Sequence, residues 1–124
     1  MIDHVSIPVG DLRKSSAFYE ATLSEIGFKL MASKEHTVGF GKKYPEFWLN
    51  LRKNLTDKNI SDGFHVCLRA DSIEQINAFY TMALSLGASA NGEPGFRKEY
   101  SNNYYAAFIM DFDGNRIEVV TFTN

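Results

Sequence analysis

The chain has 124 residues, 44% hydrophobic and 23% charged, with a net charge of −2. That suits one compact domain or two very small modules sharing a core. It argues against a disordered chain and, with no block of like charge, against nucleic acid or an anionic membrane as a partner. No apolar run approaches the ~20 residues that span a bilayer, no leader pattern opens the chain, and the single cysteine, Cys67, allows no intrachain disulfide, so a cytoplasmic location is the default expectation.

In chain order, Ile2 to Val9 alternates and is rich in β-branched residues, which predicts a strand. Asp11 is placed to cap a helix over Leu12 to Ile26. The 3.6-residue period gives that helix a buried face of Leu12, Ser15/Ser16, Tyr19, Leu23 and Ile26, and Gly27 stops it. Strands are expected near Phe28–Met31, Thr37–Gly41 and Glu46–Arg52, followed by an aperiodic polar linker from Lys53 to Gly63. The second half predicts a strand at Phe64–Arg69, a helix at Ser72–Leu86 stopped by Gly87, and a short strand near Ala88–Ala90. Next comes a Gly/Pro-punctuated loop, "NGEPGFRKEYSNN", long enough to suggest a function. A strand at Tyr104–Met110, a turn at Asp111–Asn115 and a strand at Arg116–Phe122 complete the chain.

The element order repeats because the sequence does. "HVSIPVGDLRKSSAFY" from His4 matches "HVCLRADSIEQINAFY" from His65 without a gap. His4/His65, Val5/Val66, Ala17/Ala78, Phe18/Phe79 and Tyr19/Tyr80 are all separated by 61 residues. The expected architecture is a single α+β domain of two tandem βαβββ modules, the first over about 1–55 and the second over about 63–124. Alternation in the strands implies antiparallel or mixed sheets with one face against the helices.

Period two assigns each strand residue a face. Val5, Ile7 and Val9 share the helix side of the first strand, with His4 and Ser6 opposite. Phe64, Val66 and Leu68 oppose His65, Cys67 and Arg69; Phe47, Leu49 and Leu51 oppose Trp48, Asn50 and Arg52; Ile117 and Val119 oppose Arg116, Glu118 and Val120. His4, His65, Asn50 and Glu118 are therefore expected mid-strand on the non-helix faces. Two imidazoles and a carboxylate are a ligand set for zinc, nickel, manganese or iron. The plain alternative is two structural histidines and a glutamate on an exposed strand face, and parity leaves both open. The repeat relates the two histidines, and it puts Asn50 and Glu118 at comparable places in the last strand of each half. Cys67 shares the parity of His65 and is expected to be buried as a small apolar residue.

Three stretches, "MIDHVSIPVGDLRKSSAFYE", "GFHVCLRA" and "YYAAFIMDFDGNRIEVV", resemble the vicinal oxygen chelate superfamily of glyoxalase I, extradiol dioxygenases and fosfomycin- and bleomycin-resistance proteins. The last is close to that family's aromatic strand, DPDGN turn and glutamate-bearing strand, with Phe112 in place of the turn proline. The resemblance implies paired modules forming a cupped mixed sheet, helices on its outer face and a metal inside. By motif it implies His4, His65 and Glu118 as ligands of one divalent transition metal, Glu118 also being the candidate catalytic carboxylate. The shared chemistry implied is chelation of a small substrate through two adjacent oxygens. Glyoxalase I-like members usually carry a second glutamate where Asn50 is read here. That counts against a standard glyoxalase I and leaves lyase, transferase and dioxygenase chemistry open.

Substrate-binding candidates are Asn50, Trp48, Arg97 and Tyr105. Tyr104 and Tyr105 alternate faces, so only one can line the cup, and Tyr105 is favoured. Arg97 and Lys98, in the long loop, are placed to meet a carboxylate or phosphate, with solvated loop charges as the plainer alternative. Family members of this length imply a homodimer that sets His4 of one subunit beside His65 and Glu118 of its neighbour. The competing readings are a metal-free small-molecule binder of the bleomycin-resistance type, whose members typically lack the triad, and a degenerate module with a structural or regulatory role.

Overall fold

The computed structural model of the chain describes residues 1–55 and 63–124. The linker expected at Lys53–Gly63 lies largely outside these residues. The first module contains β1 (Val5–Val9), α1 (Leu12–Ser24), β2 (Lys29–Ser33), β3 (Thr37–Gly41) and β4 (Phe47–Leu51). The second contains β5 (Val66–Arg69), α2 (Ile73–Ser85), β6 (Ser89–Phe96), β7 (Tyr104–Met110) and β8 (Arg116–Phe122). Each module forms its own four-stranded sheet, ordered β1-β4-β3-β2 and β5-β8-β7-β6. In both, the first and last strands pair parallel and the remaining pairs are antiparallel. Among the described residues no helix is long and apolar enough to cross a membrane.

The helices start where their caps are. Asp11 accepts a hydrogen bond from the Lys14 amide at 3.0 Å and Ser72 accepts one from the Gln75 amide at 3.2 Å, each satisfying a donor that has no partner within its helix. Both helices stop just before a glycine in the left-handed region, Gly27 at φ +86° and Gly87 at φ +106°. Tyr19, Leu23, Ile76 and Phe79 turn inward from the helices to meet Ile7, Phe47 and Leu49 of one sheet and Ile109, Ile117 and Val119 of the other. The helix-side faces of both sheets thus feed one core. The opposite face of each sheet takes no part in it.

One expectation fails in the second module. Asn91 to Phe96 is not loop but the larger part of β6, which pairs with β7 through Gly92↔Phe108, Gly95↔Ala106 and Phe96↔Tyr105, with register shifts on the way. β6 is an edge strand. There a proline and two glycines are tolerated as bulges, whereas a central strand would lose ladder bonds to them.

The modules meet at a polar seam set into the core. The Tyr19 hydroxyl donates to Asp111 Oδ2 at 2.6 Å, and Asn115 Nδ2 donates to the same oxygen and to the Pro8 carbonyl, both at 2.9 Å. Asp111 Oδ1 accepts from the amides of Asp113 and Asn115. Asp113 reaches across to the Gly10 amide at 3.1 Å. Phe112, at the position of the expected turn proline, packs edge-on against Phe18 at 5.0 Å between ring centroids. The "DFDGN" turn therefore joins the two modules as well as two strands.

Candidate functional site

Glu118 sits on β8, the strand between β5 and β7, with Cys67 beside it on one neighbour and Phe108 on the other. All three face away from the helices. Glu118 is only 2% exposed, although it lies outside the apolar core. A carboxylate so buried needs partners, and each oxygen has its own. Oε1 lies 2.9 Å from His65 Nε2, and Oε2 accepts a hydrogen bond from the Tyr104 hydroxyl at 2.5 Å. Burial and the bond to Glu118 push the Tyr104 hydroxyl's pKa up, so it stays a donor. Cys67 is exposed along β5, contrary to expectation. Its thiol nonetheless lies sheltered beside Glu118. That shelter, followed by the charge of Glu118, pushes its pKa up to about 12 and keeps it a neutral thiol near pH 7.

The two histidines are not mid-strand. His4 and His65 each stand one residue before their strands begin, and both are exposed. His65 still reaches Glu118. His4 belongs to the other sheet, and its Nδ1 meets Asp3 at 2.7 Å. Among the described residues no three His, Cys, Asp or Glu side chains gather into one cluster. One chain therefore brings together two of the three expected ligands.

Strand register corrects the reading of Asn50. By the repeat, Ser6 corresponds to Cys67 and Pro8 to Arg69. Ser6 aligns with Trp48 as Cys67 aligns with Glu118, and Pro8 aligns with Asn50 as Arg69 aligns with Val120. Trp48, not Asn50, is therefore the first module's counterpart of Glu118. Asn50 corresponds to Val120, and its Oδ1 is taken by the Thr37 hydroxyl at 2.7 Å. The half-buried Trp48 ring crowds Gly39, where a Cβ would fall 2.9 Å from it.

The tyrosines are reversed as well. The Tyr105 hydroxyl donates to Asn77 Oδ1 on α2 at 2.8 Å, so this side chain turns to the helix side, and Tyr104 is the one on Glu118's face. The signal was present in the hairpin. The Asp111–Asn115 turn pairs Met110 with Arg116, which places Tyr104 opposite Phe122, on the face of Glu118. Arg97 lines a cavity of about 470 Å³ together with His65, Arg116, Phe64, Tyr100 and Phe108. Lys98 is exposed and lies outside that lining.

An imidazole nitrogen and a carboxylate oxygen converging at one point are the donor types of zinc, manganese, iron and nickel centres. The Tyr104 bond fits the pattern in which an outer partner orients a ligating carboxylate. The donor chemistry fits a divalent metal, and the pair is one ligand short of the expected set.

Residues 1–119 match the family model described as Glyoxalase/Bleomycin resistance protein/Dioxygenase superfamily. The chain is 28% identical to a metallothiol transferase FosB of Shouchella clausii, over 98% of this chain and 80% of that protein. It is 31% identical to a probable lactoylglutathione lyase of Synechocystis, over 94% of this chain and 92% of that one. Among solved structures, a glyoxalase/bleomycin resistance protein from Albidiferax ferrireducens superposes with a TM-score of 0.84 at 28% identity, covering 95% of this chain and 96% of the other.

Proposed function

Since the chain belongs to the Glyoxalase/Bleomycin resistance protein/Dioxygenase superfamily, we propose that it is a metal-dependent enzyme whose active site is assembled from two copies. In each site His65 and Glu118 of one subunit hold a zinc, nickel, manganese or iron ion together with His4 of the other. The substrate is a small molecule that chelates through two adjacent oxygens. The observation that carries this reading is the buried Glu118 meeting His65 at 2.9 Å while His4, the repeat-mate of His65, is kept on the other sheet. Support for a second copy comes from Phe64, Tyr100 and Phe122. They are 49%, 62% and 40% exposed, and Tyr100 and Phe122 both pack on Tyr104, whose hydroxyl bonds Glu118, so exposed apolar surface borders the site.

The roles divide by residue. His65 offers Nε2 and Glu118 offers Oε1, while Tyr104 holds Oε2 and with it the plane of the carboxylate. A bound divalent ion supplies Lewis acidity to the two substrate oxygens and steadies negative charge that develops on them. One carboxylate against a divalent ion leaves about one net positive charge, which suits an anionic or enolisable substrate. Trp48 in place of a second carboxylate separates this centre from a four-ligand glyoxalase I type.

The test combines metal analysis with subunit mixing. The wild-type protein should hold about one divalent ion per chain after loading, lost on chelation. Homodimers of His4→Ala, His65→Ala or Glu118→Ala should not retain it. A verified heterodimer of His4→Ala with Glu118→Ala should regain one intact site, because both lesions fall in the same site. Absence of stoichiometric metal would favour the metal-free binding protein. Full occupancy in a monomer would place each site within one chain.

A further inference from the structure

We propose that the cavity beside His65 is an oxyanion subsite, in which Arg97 anchors the carboxylate, phosphate or phosphonate of a substrate whose body lies against aromatic side chains. The inference deepens the reading of the site given above, since it names what the substrate carries besides its chelating oxygens.

The charge of the cavity is the first reason. The chain as a whole is acidic, at −2. The cavity lining contains Arg97 and Arg116 and no aspartate or glutamate, its other members being aromatic, His65, glycine and asparagine. A concave site of one sign concentrates ligands of the other.

The second reason is how Arg97 is built in. Its Nη1 donates to the Gly95 carbonyl at 2.9 Å and its Nη2 to the Glu93 carbonyl at 2.6 Å, so β6 grips the guanidinium by its own backbone. The group lies over the Phe108 ring, 5.4 Å from its centroid. A guanidinium has five N–H donors, and these two bonds use only two of them. Held in this way, it would lose little further freedom on meeting an oxyanion.

Space for the arrangement comes from the glycines of "NGEPGFR". A Cβ on Gly92 would stand 2.9 Å from Phe108 and 3.3 Å from Arg97 Nη2, and one on Gly95 would stand 3.3 Å from Nη1. Gly92 also has φ +149°. The segment that looked like a functional loop is an edge strand bulged around an arginine. Phe108 connects this subsite to the metal-ligating pair. Its ring lies 6.1 Å from that of His65, so a molecule anchored at Arg97 extends along Phe108 toward His65 and Glu118. Phe64 and Tyr100 form the remaining aromatic walls.

The experiment uses the full chain stripped of metal with a chelator, titrated with phenylphosphonate, benzoate, inorganic phosphate and the neutral benzyl alcohol, and followed by calorimetry and by backbone amide NMR. Saturable binding of phenylphosphonate or benzoate is expected, with inorganic phosphate competing and benzyl alcohol not binding. Whichever of phenylphosphonate and benzoate binds more tightly identifies the oxyanion. Amide shifts should centre on Gly92, Gly95 and Arg97. Arg97→Gln should weaken binding by about tenfold or more. Arg97→Lys should recover only part of the loss, because lysine keeps the charge without the braced fork. Undiminished binding by Arg97→Gln, equal binding of benzyl alcohol, or shifts lying elsewhere would overturn the proposal. The wild-type shifts locate the bound oxyanion even if the variant does not fold. Oxyanion binding by a protein that takes up no metal would sink the metal-centre reading alone. Metal uptake without oxyanion binding would sink this inference alone.

Discussion

Ser6 aligns with Trp48 in the first sheet, and Cys67 aligns with Glu118 in the second. The two modules share one element order and one strand order, but only one carries a carboxylate at this place. Their seams differ in the same way. The second module's turn enters the first through Asp111, buried and accepting four hydrogen bonds from Tyr19, Asp113 and Asn115. The first module's corresponding turn reaches the second through Lys42 and Asp71, an exposed pair at 3.8 Å. The repeat keeps one scaffold, while the buried carboxylates, Glu118 on its sheet and Asp111 and Asp113 at the seam, all lie in the C-terminal half. Removing Asp111 is the strongest way to break that asymmetry. Asp111→Ala leaves a buried tyrosine hydroxyl and several donors without a partner and should cost about 3 kcal/mol or more. Lys42→Ala should change stability by about 0.5 kcal/mol or less. Denaturant unfolding of the two variants checks both.

Asp111 also carries a pH signature. Burial outweighs its hydrogen bonds and raises its pKa above the usual carboxylate value. The folded state therefore binds this proton more tightly than the unfolded chain does. Asp111's contribution is fullest below its unfolded pKa and falls away as pH rises through the folded one. The stability gap between wild type and Asp111→Ala should widen as pH falls from neutral toward the ordinary carboxylate range. A gap that narrows would mean that the hydrogen bonds outweigh burial.

Tyr104 sharpens the comparison at the site itself. The first module has no carboxylate at the matching place to be oriented, whereas Glu118 has one oxygen fixed by this hydroxyl. Tyr104→Phe removes the bond and keeps the ring, which packs against Tyr100 and Phe122. Metal affinity should drop about tenfold, the lower end of what loss of such an outer partner brings, and the metal-free variant should lose about 1–3 kcal/mol of stability, because one buried Glu118 oxygen is left without a partner. Competition against a calibrated chelator measures the affinity. A variant that loses stability and keeps its affinity would assign Tyr104 to packing alone.

What could be read from the sequence was whatever depends on local pattern. The β7 and β8 bounds followed from alternation, the Asp11 cap and the two glycine stops from single residues, and the module plan from the repeat, whereas Ser72, read as the first residue of α2, is its cap. β6 was misread because glycine and proline signal a loop wherever they stand, and only the finished sheet reveals that this strand is an edge. The tyrosine pair and Asn50 were misread for a different reason. Period two says which residues share a face within one strand, but pairing register decides which residues of two strands stand together. Register depends on the length of the turn and on the partner strand. The Tyr104 error was open to correction from the hairpin turn, whereas Trp48 required the parallel β1–β4 alignment, which no turn fixes. Separation of His4 from His65 lay further still from local pattern, because it depends on how the modules dock.

Asn50 is where the smallest effect is expected, and where the register argument is most exposed. Counted by place in the strand, it stood for the missing second glutamate. Counted by register, it corresponds to Val120, and its side-chain oxygen already accepts the Thr37 hydroxyl. An amide in that position lies one strand-face step from the ligand place and carries no charge to attract a cation. Asn50→Ala should therefore leave metal affinity within about twofold of wild type, well under the ~1.4 kcal/mol that a tenfold change represents. Its stability cost should be that of one neutral side-chain hydrogen bond, about 1 kcal/mol. Chelator competition and unfolding on the same sample separate the two. A loss of affinity equal to that of Tyr104→Phe would show that Asn50 reaches the metal. The two modules would then contribute to the centre more evenly than their registers imply.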